Sequence, residues 1–274
     1  MRVAAFLFSV LALVWAGAAA ADDPKSWGEA TSGLTRADGF LPYYADAKGG
    51  RILAAFPKPD EDGVSLRAIQ ATGLTAGLGS NPIGLDRGRF DGGSLIAFRR
   101  VGKKLIAEQE NWSYVASADN PLEKKAVRQS FASSFLWSGD VIAESPSGDL
   151  LVDISGYLTR DALDVKATLK GNPKGGSFSL AADRSMPDAT AALAFPDNVE
   201  FDAFLTFTSE DPKAEVLATA ADGRAITLVQ HVSLVRLPDD GYTPRAFDVR
   251  SGTIDVPYYD VSAPLDGQVR KSFA

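Results

Sequence analysis

The feature that most restricts the fold is a segment late in the chain in which apolar and polar side chains alternate. Between Val199 and Phe207, Val, Phe, Ala, Leu and Phe share one face and Glu, Asp, Phe and Thr share the other. This period of two is typical of a β-strand with one buried face. Residues 216–221 and 225–237 are also apolar, and Asp222-Gly223 between them favours a tight hairpin. The sequence therefore predicts long antiparallel strands near its end.

Short apolar runs separated by Gly, Pro, Asp and Asn extend this pattern from Gly39 onwards. Such punctuation is typical of β-domains. The predicted strands are 51–56, 64–71, 94–101, 104–108, 112–116, 141–144 and 150–154.

Helical periodicity is limited to two segments. Residues 123–135 have apolar side chains at helical spacing after Asn120-Pro121, and residues 159–169 have partial periodicity before a Pro-Gly cluster. We therefore predict an α+β fold, predominantly antiparallel β-sheet with one or two short helices. Residues 39–274 are expected to form a single β-rich domain.

The start of the chain has the pattern of a secretory signal. A positive Met1-Arg2 precedes an apolar run over 3–15 and small residues at 18–21. We expect a signal peptide at 1–21, cleaved after Ala20 or Ala21, followed by a flexible linker at 22–38. The protein would be exported to the periplasm or outside a bacterial cell. No later apolar run approaches the ~20 residues that span a bilayer, so no membrane span is expected after cleavage.

Composition excludes several kinds of chemistry. The net charge of −7 disfavours nucleic acid as a partner. The chain has no cysteine and a single histidine, His231, so a zinc site cannot be completed in the usual way. A Ser-His-Asp triad would need His231 as its base, but the alternation around it favours a structural histidine on a sheet face. The sequence therefore assigns no catalytic, cofactor-binding or metal-ligating residue.

Four groups of segments are more specific than composition. They are 77–88; 151–155 with Leu158 and Asp161; 183–185 with 194–200; and 233–234, 237–238 and 244–252. In this order they resemble the uncharacterised N-terminal domain of exported bacterial zinc-dependent metallopeptidases, over a range from about Gly33 to the chain end. In that family a catalytic domain with an HExxH motif follows this domain.

The present sequence departs from that family because it contains no HExxH. The resemblance therefore implies a non-catalytic domain that scaffolds or covers a catalytic domain missing from this chain. The chain would then be a fragment of a longer protein, or the product of a gene that has lost or been split from its catalytic half. Zinc is expected only in that downstream domain. The expected partner is the catalytic domain, in cis or in trans, with a peptide substrate as a further partner. A free-standing periplasmic binding or interaction module and an independent hydrolase remain alternatives.

The resemblance also marks ten family-motif residues, for which a structural role is favoured. They are Asp86, Arg87, Gly88, Asp153, Arg184, Asn198, Glu200, Arg245, Asp248 and Arg250. Ion pairs at 86–88 and 245–250 are expected to hold loops, and residues 195–198 are expected to form the turn before the Val199 strand. The alternative is that Arg87, Arg245 and Arg250 face a substrate or the peptidase domain.

Overall fold

A computed structural model describes residues 26–239, 241, 243, 245–252, 254–262 and 269–272. The predicted signal peptide at 1–21 lies outside this range. Within it, no helix is both long enough and apolar enough to cross a membrane.

The helices of the described residues are short, and the strands include several long ones. The helices are α1 (Trp27–Thr31), α2 (Pro121–Ser130), α3 (Ser155–Leu158), α4 (Val165–Gly171) and α5 (Ala214–Thr219), with a 3₁₀ turn at Ala182–Arg184. The strands are β1 (Thr35–Ala37), β2 (Tyr43–Asp46), β3 (Arg51–Phe56), β4 (Val64–Ala76), β5 (Phe90–Val101), β6 (Lys104–Gln109), β7 (Tyr114–Val115), β8 (Ser134–Glu144), β9 (Leu150–Asp153), β10 (Ser179–Leu180), β11 (Met186–Pro187), β12 (Leu193–Ala194), β13 (Asn198–Thr208), β14 (Ala225–Arg236), β15 (Arg245–Ala246), β16 (Asp255–Asp260) and β17 (Val269–Ser272).

One large antiparallel sheet organises the fold. Its strand order is β1-β2-β3-β9-β8-β6-β5-β4-β14-β13-β10, and β11 and β12 also pair with β13. The register shifts at several points, including Gln70/Thr72 and Val229/Gln230. Such irregularities increase the curl of a sheet, and here they help it approach a closed barrel.

The two ends of this sheet meet along a seam. The Phe40 amide donates to the Phe195 carbonyl at 2.8 Å, and the Tyr43 hydroxyl donates to the Ala192 carbonyl at 2.7 Å. The chains approach so closely that a Cβ atom at Gly39 would lie 2.6 Å from the Phe195 oxygen. Glycine is therefore required where the near-barrel closes.

The interior is filled by large apolar side chains and by α3. Phe56, Phe98, Phe201 and Phe207 are fully buried there. Tyr157 of α3 is also fully buried, with its ring centroid 5.4 Å from that of Phe98. The alternation predicted for 199–207 is confirmed, because its five inward residues are all buried.

A small second sheet, β15-β17-β16-β7, lies next to α2. Its strand β16 runs parallel to β7. The Tyr114 ring of β7 stacks on Phe131 and, on its other side, on Tyr259 of β16. The Ser262 hydroxyl donates to the Glu123 carboxylate of α2 at 2.8 Å, which ties this sheet to the helix.

The predicted α+β class with mainly antiparallel sheet is confirmed, but the described residues contain five helices rather than one or two. Residues 216–221, predicted as a strand, lie mostly in α5. This short run contains good helix formers, and α5 buries Val216 completely against the core. Asp222-Gly223 therefore forms the turn that enters β14 from a helix, and not a hairpin between strands.

Three other segments differ from their predictions. Only the second half of the helix expected at 159–169 forms, as α4, because Asp164 adopts a left-handed backbone (φ 50°) and the Asp161 carboxylate accepts from the Val165 and Lys166 amides. The helix expected at 123–135 ends earlier, at Ser130, because Phe131 turns to stack on Tyr114.

The described part of the linker expected at 22–38 has regular structure. It contains α1 and β1, and β1 pairs with β2. The indole N–H of Trp27 donates to the Tyr44 hydroxyl at 3.1 Å, which holds α1 against the large sheet. A capping box at Ser26 and Glu29 begins the helix.

Candidate functional site

Five polar residues form an inner cluster inside the near-barrel. The inner cluster consists of Gln70, Thr72, Tyr157, Arg160 and Gln230. Gln70 accepts hydrogen bonds from the Tyr157 hydroxyl and from Arg160 Nη2 (2.6 Å), and its Nε2 donates to Thr72 Oγ1 at 2.8 Å. The Arg160 guanidinium also lies 4.1 Å from the centroid of the Tyr157 ring.

Gln230 connects the inner cluster to the segment after α3. Its Nε2 donates to the carbonyls of Leu158 and Arg160, both at 3.0 Å, and its Oε1 accepts from the Ala162 amide at 3.1 Å. Burial raises the pKa of Tyr157 to about 12, although nearby Arg160 opposes the shift. Burial likewise lowers the pKa of Arg160. The satisfied bonds and deep burial indicate a structural role for this cluster.

A second polar group, the outer cluster, lies on the outer face of β13 and β14, so β14 contributes to both clusters. It consists of Asn198, Glu200, Asp202, His231 and Ser233. His231 Nδ1 lies 2.6 Å from Asp202 Oδ1, and His231 Nε2 lies 2.8 Å from Glu200 Oε2. Glu200 also accepts hydrogen bonds from the Ser233 hydroxyl, at 2.8 Å, and from the Asn198 amide.

The geometry of the outer cluster restricts what His231 can do. Each ring nitrogen lies within hydrogen-bond distance of a carboxylate oxygen, Nδ1 of Asp202 and Nε2 of Glu200, so the imidazole is held between two acidic side chains. No ring nitrogen is left to activate a hydroxyl nucleophile, and Ser233 points its hydrogen at Glu200. Among the described residues, no group of three His, Asp or Glu side chains is arranged to hold a metal ion.

Apolar side chains flank the outer cluster on the outside of the sheet, on the side of β11 and β12. Met186 pairs with Phe204 across β11 and β13, and Leu193 pairs with Glu200 across β12 and β13. Met186, Leu193 and Phe204 are 46%, 54% and 37% exposed. We call this surface, with the outer cluster at its centre, the docking face.

A cavity of about 350 Å³ lies between α2, β7 and the outer side of β4–β6, and we call it the α2 cavity. Two ion pairs form part of its lining. Arg67 contacts Glu110 through two hydrogen bonds of 3.0 Å, and Arg99 Nε contacts Glu108 at 2.8 Å. The bond from Arg67 to Glu110 raises the pKa of that arginine.

Glu108 is fixed more tightly than a surface carboxylate. Burial would raise the pKa of Glu108, but hydrogen bonds from Ser133 and Arg99 together hold it below its usual value. The Ser133 hydroxyl donates to it at 2.6 Å. The carboxylate therefore stays ionised and engaged with Arg99, and it does not have the raised pKa of a general acid.

The aromatic residues of the α2 cavity are Trp112, Tyr114 and Phe131. The Tyr114 and Phe131 rings are parallel, with centroids 3.7 Å apart. Trp112 is 55% exposed, and its indole N–H donates to Glu110 Oε2 at 3.3 Å. Lys124 and Arg128 of α2 complete the charged lining.

The structure brings only some of the family-motif residues together. Asn198 and Glu200 meet in the outer cluster, and the expected turn before β13 forms, because the Phe195 amide donates to the Asn198 carbonyl at 2.8 Å. Asp248 and Arg250 form the expected ion pair, at 2.6 Å. This contact holds the pKa of Asp248 below its usual value.

The other motif residues lie apart from the outer cluster. Asp86 and Arg87 form no ion pair within the described residues, and the turn they occupy is instead closed by Gly88, with φ +91°. The Asp153 carboxylate accepts from the Ser155 amide at the start of α3. Arg184 is on the 3₁₀ turn and Arg245 is exposed on β15.

Sequence reasoning did not identify the inner cluster or the α2 cavity. One signal for the inner cluster was present, because Gln230 occupies an inward position among Ile226, Leu228, Val232 and Leu234. A buried amide in that position needs hydrogen-bond partners. The partners themselves come from distant segments and carry no local pattern.

The fold and these clusters define a β-rich, near-barrel domain with one polar cluster inside and one outside, and β14 contributes residues to both. Residues 90–274 match the family described as a domain of unknown function (DUF5117). This match covers more than half of the chain, so the protein belongs to that family. Searches of the curated proteins and of the solved structures found no match.

Proposed function

We propose that this chain is a non-catalytic domain that packs against and covers the zinc-dependent catalytic domain of an exported metallopeptidase. The observation that carries the proposal is the docking face, where exposed Met186, Leu193 and Phe204 lie beside the hydrogen-bonded outer cluster. The four motif segments that resemble metallopeptidase N-terminal domains support the choice of partner.

The docking face has the mixed character of a protein interface. Clustered exposed apolar side chains on a soluble domain indicate a contact surface. The polar groups at its centre already contact one another, because His231 lies within hydrogen-bond distance of both Asp202 and Glu200. Because those partners are in place before contact, covering the cluster would cost less than burying unpaired charges. Asn198 and Glu200, two of the motif residues, belong to this surface.

In this proposal the catalytic partner, in cis or in trans, holds the zinc ion, and the present chain supplies surface and not ligands. The signal peptide directs export and is cleaved after Ala20 or Ala21. The peptide substrate reaches the catalytic domain at its boundary with this one.

The test begins with an antibody to residues 22–274 applied to the exported fraction of the source cells. If the catalytic domain is in cis, we expect a band far above the chain's 29.0 kDa. If it is in trans, we expect a band just below 29.0 kDa together with a co-precipitated partner. In both cases the precipitate should contain zinc and should cleave peptides until a chelator is added. The proposal is wrong if the precipitate lacks zinc and activity, or if the purified chain alone has chelator-sensitive peptidase activity.

Variants locate the contact. Where the partner is a separate chain, Leu193→Asp and Phe204→Asp should lower the zinc and peptidase activity that co-precipitate, because they place charge in the docking face. Leu217→Asp is the matched control, since Leu217 is 59% exposed on α5, away from this surface. Equal loss in all three variants would point to general destabilisation and contradict the assigned surface.

A second candidate is a free-standing binding module of the periplasm, which the α2 cavity favours. Its expected marks are a band just below 29.0 kDa without a partner and a monodisperse monomer in size-exclusion chromatography with light scattering. A partner that remains bound through purification would contradict it.

A further inference from the structure

We propose that the α2 cavity is a binding site for an aromatic carboxylate, supplied either as a free small acid or as the C-terminal residue of a peptide. The inference is independent of the docking face, so it can fail or hold whatever becomes of the proposed contact with a peptidase. The volume of the α2 cavity, about 350 Å³, lies within the range of small-ligand pockets.

The charge of the lining favours an anion. The lining contains four cationic side chains, Arg67, Arg99, Lys124 and Arg128, and two carboxylates, Glu108 and Glu110. Each of these carboxylates is already engaged by an arginine, so the two cations of α2 supply the excess. This excess of positive charge is unusual in a chain with a net charge of −7.

The two α2 cations remain accessible to a ligand. Lys124 contacts only the fully exposed Asp119, at 3.7 Å, among the described residues. Arg128 is exposed and forms no ion pair within the described part of the chain. A guanidinium in this situation can form paired hydrogen bonds with an incoming carboxylate.

The aromatic lining favours a flat apolar group next to that carboxylate. The stacked rings of Tyr114 and Phe131 form an aromatic part of the lining, and Tyr259, which lies outside the lining, stacks on Tyr114 with ring centroids 5.3 Å apart. The indole of Trp112 is held by Glu110 and still exposes more than half of its surface. An aromatic ring packed there would cover apolar area that the free protein leaves in water.

The test measures binding of four probes to the full chain by isothermal titration calorimetry. The probes are N-acetyl-phenylalanine, the peptide acetyl-Ala-Ala-Phe with a free C-terminus, its C-terminal amide, and acetyl-Ala-Ala-Ala with a free C-terminus. The two aromatic acids should bind with saturation, and the amide and the alanine acid should each bind at least about fivefold more weakly. Tighter binding of the tripeptide acid than of N-acetyl-phenylalanine identifies a peptide end as the source, and the reverse identifies a small acid.

Variants test the assigned contacts. Arg128→Gln should weaken binding of the aromatic acids about fivefold and leave binding of the amide unchanged, while Trp112→Ala should weaken both. Arg224→Gln and Leu122→Ala are the controls, because both residues are exposed and lie outside the cavity lining. Circular dichroism melting should show that all four variants are folded.

Three results would overturn the inference. They are equal affinity for the acid and the amide, an Arg128→Gln variant that binds the acids as tightly as Arg224→Gln, and absence of saturable binding at millimolar probe concentration. None of these results depends on a catalytic partner.

Discussion

Gln230 and His231 are neighbours on β14, yet they belong to polar clusters of opposite kind. Gln230 is 1% exposed and binds only groups inside the near-barrel. His231 has a side chain that is 34% exposed and binds two carboxylates on the outside. One strand therefore builds a permanent internal network on one face and a solvent-accessible ionic group on the other.

The two clusters differ in how easily their hydrogen-bond partners can be exchanged for water, salt or another protein. In the inner cluster, a lost partner leaves a buried polar group without water to replace it, so the bonds are hard to exchange. In the outer cluster, water and salt reach the polar groups, which weakens each contact but lets an approaching protein surface change the arrangement. The inner cluster therefore fixes the fold, and the outer cluster suits a contact.

The largest effect is expected from Gln230→Leu. The substitution removes the hydrogen bonds that Gln230 donates to the carbonyls of Leu158 and Arg160, and the one it accepts from the Ala162 amide. Because these backbone groups then lack a partner, the free energy of unfolding should fall by about 3 kcal/mol. Urea denaturation measures this change. Gln109→Leu on β6 is the control, because Gln109 is exposed, and its effect should stay below about 0.5 kcal/mol. Equal effects would remove the distinction between inside and outside.

The second prediction concerns alkaline pH and Tyr157. The unfolded chain loses this phenolic proton near pH 10, whereas the folded protein keeps it until about pH 12. The raised pKa therefore contributes stability that is fully present below pH 10 and is lost as pH rises to 12. Between pH 9 and 11.5 the loss due to Tyr157 should be about 2 kcal/mol. Urea denaturation of Tyr157→Phe should show a loss smaller by this amount, and an unchanged loss would contradict the buried phenol.

The third prediction concerns Arg160→Lys, which keeps the charge but removes the planar guanidinium. Lysine cannot reproduce the bonds to the Tyr157 carbonyl (2.9 Å) and Gln70 together with stacking on the Tyr157 ring. We expect a loss of about 1.5 kcal/mol in the free energy of unfolding. Arg184→Lys on the exposed 3₁₀ turn should have almost no effect in the same urea titration.

The smallest effect is expected in the outer cluster. A double-mutant cycle with Asp202→Asn and His231→Gln should give a coupling energy of about 0.5–1 kcal/mol at low salt, and 1 M NaCl should reduce it. The matching cycle with Arg36→Gln and Asp38→Asn should give a value near zero, because those side chains are 56% and 71% exposed. A salt-insensitive coupling of several kcal/mol would place the outer cluster with the inner one.

The sequence predicted strands best where one face is fully buried. The alternation at 199–207 identified the inward residues of β13 because burial on one side of a strand imposes a period of two. The strand prediction for 216–221 was wrong, because a short apolar run is compatible with a buried helical turn as well as with a strand. Here the run forms α5, which buries Val216 against the core.

The clusters were less predictable because their contacts join distant positions. Gln70 lies 87 residues from Tyr157 and 90 from Arg160 in the chain. Nothing near Gln70 indicates which partners satisfy its amide, although the need for partners follows from its burial. The α2 cavity depends in the same way on how Phe131 turns towards Tyr114, which helical periodicity over 123–135 does not contain.

The seam of the near-barrel has a consequence for the order of folding. The Tyr43 hydroxyl bonds to the carbonyl of Ala192, 149 residues later in the chain. Contacts between such distant segments form slowly, because a long loop must close first. During synthesis, which begins at the N-terminus, β1–β3 are therefore made long before residues 192–195, with which they form the seam. During that interval an open strand edge is available to other chains, and rapid delivery of the later strands protects the protein from aggregation.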